Sequence, residues 1–161
     1  MIAALGARTR AIGFEGDLIW KGLKTDMQRF KALTMGNPVI MGRKTWESLP
    51  AAFRPLPGRT NIVVTSEPNA KFEGALAADS LPRALKLAQE SESDEIFIIG
   101  GGTLYTEGMQ YADRLYLTLI DSDEPGDVFF PPYDEFSKNV EEPVHGTDNG
   151  HELTFLVREQ L

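Results

Sequence analysis

The sequence predicts an α/β protein with a mainly parallel, helix-covered sheet and an antiparallel C-terminal edge. Through the first two thirds of the chain, short apolar runs of strand length alternate with segments of helical period. The last third changes character: "RLYLTLI" and "HELTFLVRE" read as long strands, separated by a loop-rich stretch containing "EPGD" and "FPPYDEF". At 161 residues, with no repeat, low-complexity run or linker, residues 1–161 are expected to form a single domain.

The elements follow in order. "MIAALGA" is apolar enough for a buried strand, and "KTDMQRFKALTM" has the apolar spacing of a helix. "PVIMG" is a strand, "RKTWESL" a short helix and "TNIVVTS" a further strand; "GALAAD" is a weaker one. "SLPRALKLAQE" carries its proline in the first turn, where a missing N–H does no harm to a helix. "EIFIIG" is a strand that runs into three glycines and then a brief helix.

Composition removes several function classes. The net charge of -8 argues against nucleic acid and anionic membranes as partners. With no cysteine and only His145 and His151, neither disulfides nor a thiolate or histidine-built metal site is expected. No run reaches membrane-spanning length and no secretory leader opens the chain, so the expected location is the cytoplasm.

Three features carry chemistry. Gly100, Gly101 and Gly102 form a strand-to-helix turn through which backbone can approach a ligand, although Tyr105 occupies the third position of a dinucleotide fingerprint. Arg43 and Lys44 open a helix, where cations oppose the macrodipole unless an anion binds; Thr65 and Ser66 add hydroxyls at a strand end. Asp26 is the third feature. Thr25 and Gln28 have capping-box spacing, which places Asp26 in a first turn on the face of Phe30 and Leu33, while Gln28 and Arg29 define the polar face.

The stretches "IAALG", "AIGFEGDLIW", "TDMQRFKALT", "NPVIMGRKTWESL", "RPLPGRTNIVVTS", "IFIIGGGTLY", "LYLTLID" and "GDVFFP" resemble the dihydrofolate reductase family in order and spacing across nearly the whole chain. The resemblance implies an eight-stranded, mostly parallel sheet flanked by four helices. It also implies an NADPH-dependent enzyme that delivers hydride to C6 of 7,8-dihydrofolate while N5 is protonated, giving tetrahydrofolate. The enzyme would be a monomer open to antifolate inhibitors, with no metal.

By the same resemblance, Asp26, Trp20, Leu18, Tyr105 and Thr118 would serve catalysis. Asp26 would accept hydrogen bonds from the pterin, with Thr118 and Trp20 ordering water nearby. Substrate contacts would come from Ile2, Ala4, Met27, Phe30, Leu49, Leu56 and Ile99, with Arg59 on the α-carboxylate of the glutamate tail. Ala4, Ile12 and Leu18 would line the nicotinamide pocket. Gly42, Arg43, Lys44, Thr45, Val64, Thr65 and Ser66 would hold the phosphate end of the cofactor. The turn and helix from Gly100, Gly101 and Gly102 through Thr103, Leu104 and Tyr105 would hold the rest, with a cis peptide between Gly100 and Gly101. The chain departs from the family at Ile19, where proline usually precedes the tryptophan, and at Thr103, where a cation is frequent. Glu67 adds a negative charge beside Ser66. These departures bear on loop closure and on the preference for NADPH over NADH. Two alternatives stay open: a reductase of a riboflavin precursor on the same fold, and a noncatalytic nucleotide-binding module. Asp26, Trp20 and Arg59 together argue against both.

Overall fold

The computed structural model describes residues 1–161. In chain order the elements are β1 (Ile2–Gly6), β2 (Ala11–Phe14), β3 (Asp17–Leu18), α1 (Lys24–Thr34), β4 (Val39–Gly42) and α2 (Arg43–Ser48). Next come a 3-10 turn (Ala51–Phe53), β5 (Asn61–Val64), β6 (Leu76–Ala78), α3 (Leu81–Gln89), β7 (Phe97–Gly100) and α4 (Gly102–Gly108). The chain closes with β8 (Arg114–Ile120), β9 (Val128–Phe129), β10 (Lys138–Asn139), β11 (Val144–Asp148) and β12 (His151–Glu159). It packs as two compact units, one of residues 1–31 with 109–161 and the other of residues 32–108.

In the first unit, β1 lies parallel to β8, and β12 runs antiparallel along the other side of β8. β10 and β11 both pair with β12 in antiparallel fashion. β8 is central, which explains its nearly unbroken apolar run: Leu115, Leu117 and Ile120 are wholly buried, as is Leu5 of β1. β11 is the opposite case. Val144, His145, Gly146 and Thr147 are exposed, so no apolar alternation marks them as a strand. What makes the hairpin is the Asn149–Gly150 turn, with φ of 48° and 79°, the geometry this dipeptide favours between antiparallel strands. A small antiparallel sheet of β3, β2 and β9 completes the unit.

The second unit holds an all-parallel sheet in the order β6, β5, β4, β7. Val39, Ile40 and Met41 of β4 and Ile62 and Val63 of β5 have no exposed surface, as expected for inner strands covered on both faces. α3 is capped by Ser80, whose hydroxyl accepts from the Arg83 N–H, and Pro82 sits in the first turn. Leu81, Ala84 and Ala88 form its buried stripe. No helix is long and apolar enough to cross a membrane.

Candidate functional site

The first unit gathers its chemistry around Asp26. This residue lies in the first turn of α1, and its carboxylate Oδ1 accepts a 2.6 Å hydrogen bond from the Thr118 hydroxyl of β8. Thr118 is buried in the centre of the sheet, so its donor has a fixed direction. Burial pushes the Asp26 carboxyl above the usual carboxylate range; the Thr118 hydrogen bond and the Arg29 charge oppose that rise, and Asp148 adds to it.

Arg29 overturns the expected polar face. Three positions after Asp26 on the same side of α1, its guanidinium donates to the Leu117 carbonyl (3.2 Å), the Thr118 hydroxyl (3.3 Å) and the Leu156 carbonyl (3.1 Å). It also stands 5.1 Å from the centre of the Phe155 ring. A long aliphatic stem lets an arginine cross apolar surface to reach such acceptors, which is why its charge alone misplaced it.

The capping box is also corrected. α1 already begins at Lys24, so Thr25 lies inside the helix and does not cap it. Instead the Thr25 N–H and hydroxyl both donate to Oδ2 of Asp148, each at 2.7 Å. The acceptor comes from the β11–β12 turn, far along the chain.

The remaining residues named for the first unit are placed as follows. Ile2 and Ile12 are buried and Ala4 is half-buried. Leu18 and Met27 are exposed apolar side chains, at 56% and 59%, and Phe30 is half-buried. The Trp20 indole N–H donates to the Ala11 carbonyl at 2.8 Å, which occupies its one donor, and the ring meets His151 edge-on. A cleft of about 640 Å³ near Arg8 and His145 lies elsewhere in this unit; Arg8 is already paired with Asp121 and Asp123.

The second unit holds the glycine turn and Arg59. The Gly100–Gly101 peptide is cis, and Gly100 has φ of 138°, a region that side-chain-bearing residues rarely adopt. A Cβ on Gly100 would come within 3.4 Å of the Thr45 hydroxyl and 3.6 Å of the Tyr105 hydroxyl, and one on Gly101 within 3.5 Å of Thr45. At Gly100 it is the backbone angle, more than space, that disfavours a side chain. Tyr105 and Leu104 are buried, Gly102 is half-buried and Thr103 exposed; the Tyr105 hydroxyl donates to the Ile99 carbonyl at 2.7 Å.

No side chain caps α2 at Gly42. Arg43 at its start pairs with Glu47 at 3.2 Å and stands 4.0 Å from Glu67, while Lys44 is exposed. Thr45 and Val64 are half-buried and Ser66 is exposed. Thr65 accepts from the Glu67 N–H, so its hydroxyl braces the local turn.

Arg59 is half-buried: its Nη1 donates to the Thr34 hydroxyl (3.1 Å) and its Nε to the Pro57 carbonyl (2.9 Å). The loop that presents it is held by Asn61, which is almost fully buried. Its side chain accepts from the Leu56 N–H (2.9 Å) and donates to the carbonyls of Leu56 (3.0 Å) and Arg59 (2.9 Å). Leu56 is buried as a result, and Leu49 and Ile99 are half-buried. Asn61→Ala should leave these backbone groups unpaired and lower stability by about 1–3 kcal/mol in urea unfolding, where a surface asparagine would cost almost nothing.

Arg29, Asn61 and Asp148 were missed by sequence reasoning. Signals existed for two of them, the i, i+3 spacing of Asp26 and Arg29 and the Asn149–Gly150 dipeptide that announces the hairpin beside Asp148; Asn61 had none.

The chain is similar to known proteins along most of its length. The family pattern described as dihydrofolate reductase matches residues 1–160. The dihydrofolate reductase of Bacillus subtilis is 43% identical over 154 residues, covering 94% of this chain and 88% of that protein. The type 3 dihydrofolate reductase of Salmonella typhimurium is 45% identical over 150 residues, covering 92% and 88%. A dihydrofolate reductase of Mycobacterium tuberculosis is 40% identical over 132 residues, covering 80% and 78%. With the family pattern spanning the chain and these relatives covering most of it, the chain belongs to the dihydrofolate reductase family and is an oxidoreductase of that family.

Proposed function

We propose that this chain reduces 7,8-dihydrofolate to tetrahydrofolate with NADPH as the reductant. The observation that carries the reading is Asp26: a carboxylate turned inward from the start of α1, held by Thr118 and balanced by Arg29. Such a group suits a flat heterocycle that offers an amino group and a ring N–H as paired donors. When bound, NADPH supplies hydride to C6 while N5 takes a proton from solvent. Asp26 orients the pterin and favours positive charge on it, and Thr118 fixes the carboxylate so that no reorientation is needed as charge develops. Arg59, pre-oriented by Asn61, takes the α-carboxylate of the glutamate tail.

The glycine cradle suits a cofactor with a pyrophosphate, and Arg43 with Ser66 suits its 2′-phosphate. Glu67 weakens that second contact by competing for Arg43. Arg43→Ala should therefore reduce NADPH affinity more than NADH affinity, by about one to two powers of ten, as expected from loss of a charge-assisted bond. Equal losses for both cofactors would place Arg43 on the shared pyrophosphate. The reading as a whole is tested by following NADPH absorbance with dihydrofolate present: stoichiometric oxidation is expected, and no oxidation would overturn it.

A further inference from the structure

Asp148 stands at the end of β11, next to the Asn149–Gly150 turn, and is separated from Thr25 by 123 positions in sequence. One of its oxygens accepts both the backbone N–H and the hydroxyl of Thr25. The N–H is one of the helix-start donors that have no partner within the helix, and the residue that follows it is Asp26. Leu23, the residue before the helix, has no side-chain acceptor, and the contact comes from Asp148 instead.

We infer that Asp148 is a positioning residue for Asp26, acting from the β11–β12 turn as a distant N-terminal cap that sets the first turn of α1 and with it the Asp26 carboxylate. The inference rests on the reductase function proposed above. Two contacts then define the direction of the carboxylate. Thr118 holds it from β8, and Asp148 holds the backbone on which it stands. With only the first, the carboxylate could follow Thr118 while the helix start shifted. With both, Asp26 has one position relative to the central strand. The hairpin's outer strand β11 is exposed along most of its length, and Asp148 at its end reaches α1. The carboxylate is acidified chiefly by the Thr25 hydroxyl and then by the Thr25 N–H, in keeping with a cap that accepts from both.

The test separates the bond from the charge and from general loss of structure. Asp148→Ala removes the acceptor, whereas Asp148→Asn keeps a carbonyl oxygen for Thr25 and removes only the charge. Single-turnover hydride transfer should slow by about fivefold or more in the alanine variant, the effect of losing a cap on a residue that must be placed precisely for its role. Transfer in the asparagine variant should stay within about twofold of the unaltered chain, and the Kd for NADPH should stay within about twofold in both. Amide exchange at Thr25, measured without ligand, should accelerate in the alanine variant and not in the asparagine variant. The inference is overturned by an alanine variant that transfers hydride as fast as the unaltered chain, by equal slowing in both variants, or by a parallel loss of NADPH affinity. An unaltered chain that does not oxidise NADPH overturns the proposed function instead; the cap is then judged by amide exchange alone, and unchanged exchange at Thr25 in Asp148→Ala refutes it.

Discussion

Asp26→Asn should slow hydride transfer by orders of magnitude at neutral pH and, in the same protein, raise the stability of the fold. The first effect follows from the position of the carboxylate. Asparagine keeps the shape and can still accept from Thr118 Oγ1, so the proposed pterin site keeps its form while the negative charge proposed to favour a protonated N5 is lost. The deficit should narrow as pH falls and solvent supplies more protonated substrate. The second effect follows from linkage. Burial raises the Asp26 pKa in the folded state above its ordinary value of 3.8, so the folded chain holds this proton more tightly than the unfolded chain. The favourable contribution is complete below the unfolded value and is lost as pH rises through the raised folded value. At neutral pH the ionised carboxylate therefore costs stability, and asparagine removes that cost. Urea unfolding at neutral pH should show the gain, and unfolding at strongly acidic pH should show it shrinking. A variant with near-normal transfer rates would return Asp26 to the role of a helix-start acid.

Arg29→Met should lower the stability of the fold and shift the pH dependence of hydride transfer. Three hydrogen bonds from the guanidinium are lost together with its position over Phe155, and the Asp26 charge loses its nearest counter-charge on α1. Hydrogen bonds from a charged donor contribute about 1.5–3 kcal/mol, and breaking a fully buried pair costs about 3–5, so a loss of about 2–3 kcal/mol is expected for this half-buried group. Methionine keeps most of the aliphatic stem, so the loss reports the charged head more than packing. The kinetic signature is a separate matter. Arg29 lowers the Asp26 pKa, so its removal should move the acidic limb of the hydride-transfer profile toward neutral pH. The other charge acting on Asp26 is that of Asp148, while Glu141 and Tyr116 face Arg29 and Lys24 faces Asp148; none of these replaces the missing cation beside Asp26. A profile that keeps its acidic limb, with the expected loss of stability, would reduce Arg29 to a structural role.

Much was determined by the sequence alone, and the physical reason is that it was local. Strands β8 and β12 span the segments RLYLTLI and HELTFLVRE that read as strands, and the apolar run of central β8 follows from its burial. The same holds for β4 and β5, and α3 was announced by its serine, its proline and its spacing. The glycine turn was legible because only glycine tolerates the backbone at Gly100. Asp26 was recognisable as an inward acid from the apolar residues that follow it on the helix. What only the tertiary structure decided involves partners distant in sequence or strands without apolar pattern. Thr118 meets Asp26 across 92 positions and Asp148 meets Thr25 across 123, separations that no helical or strand period encodes. β11 is exposed and polar, so its existence depends on a turn and a neighbouring strand, not on burial of its own side chains. Arg29 reads as a surface cation by composition, and becomes an interior donor only because β8 and β12 bring the Leu117 and Leu156 carbonyls within reach of its stem.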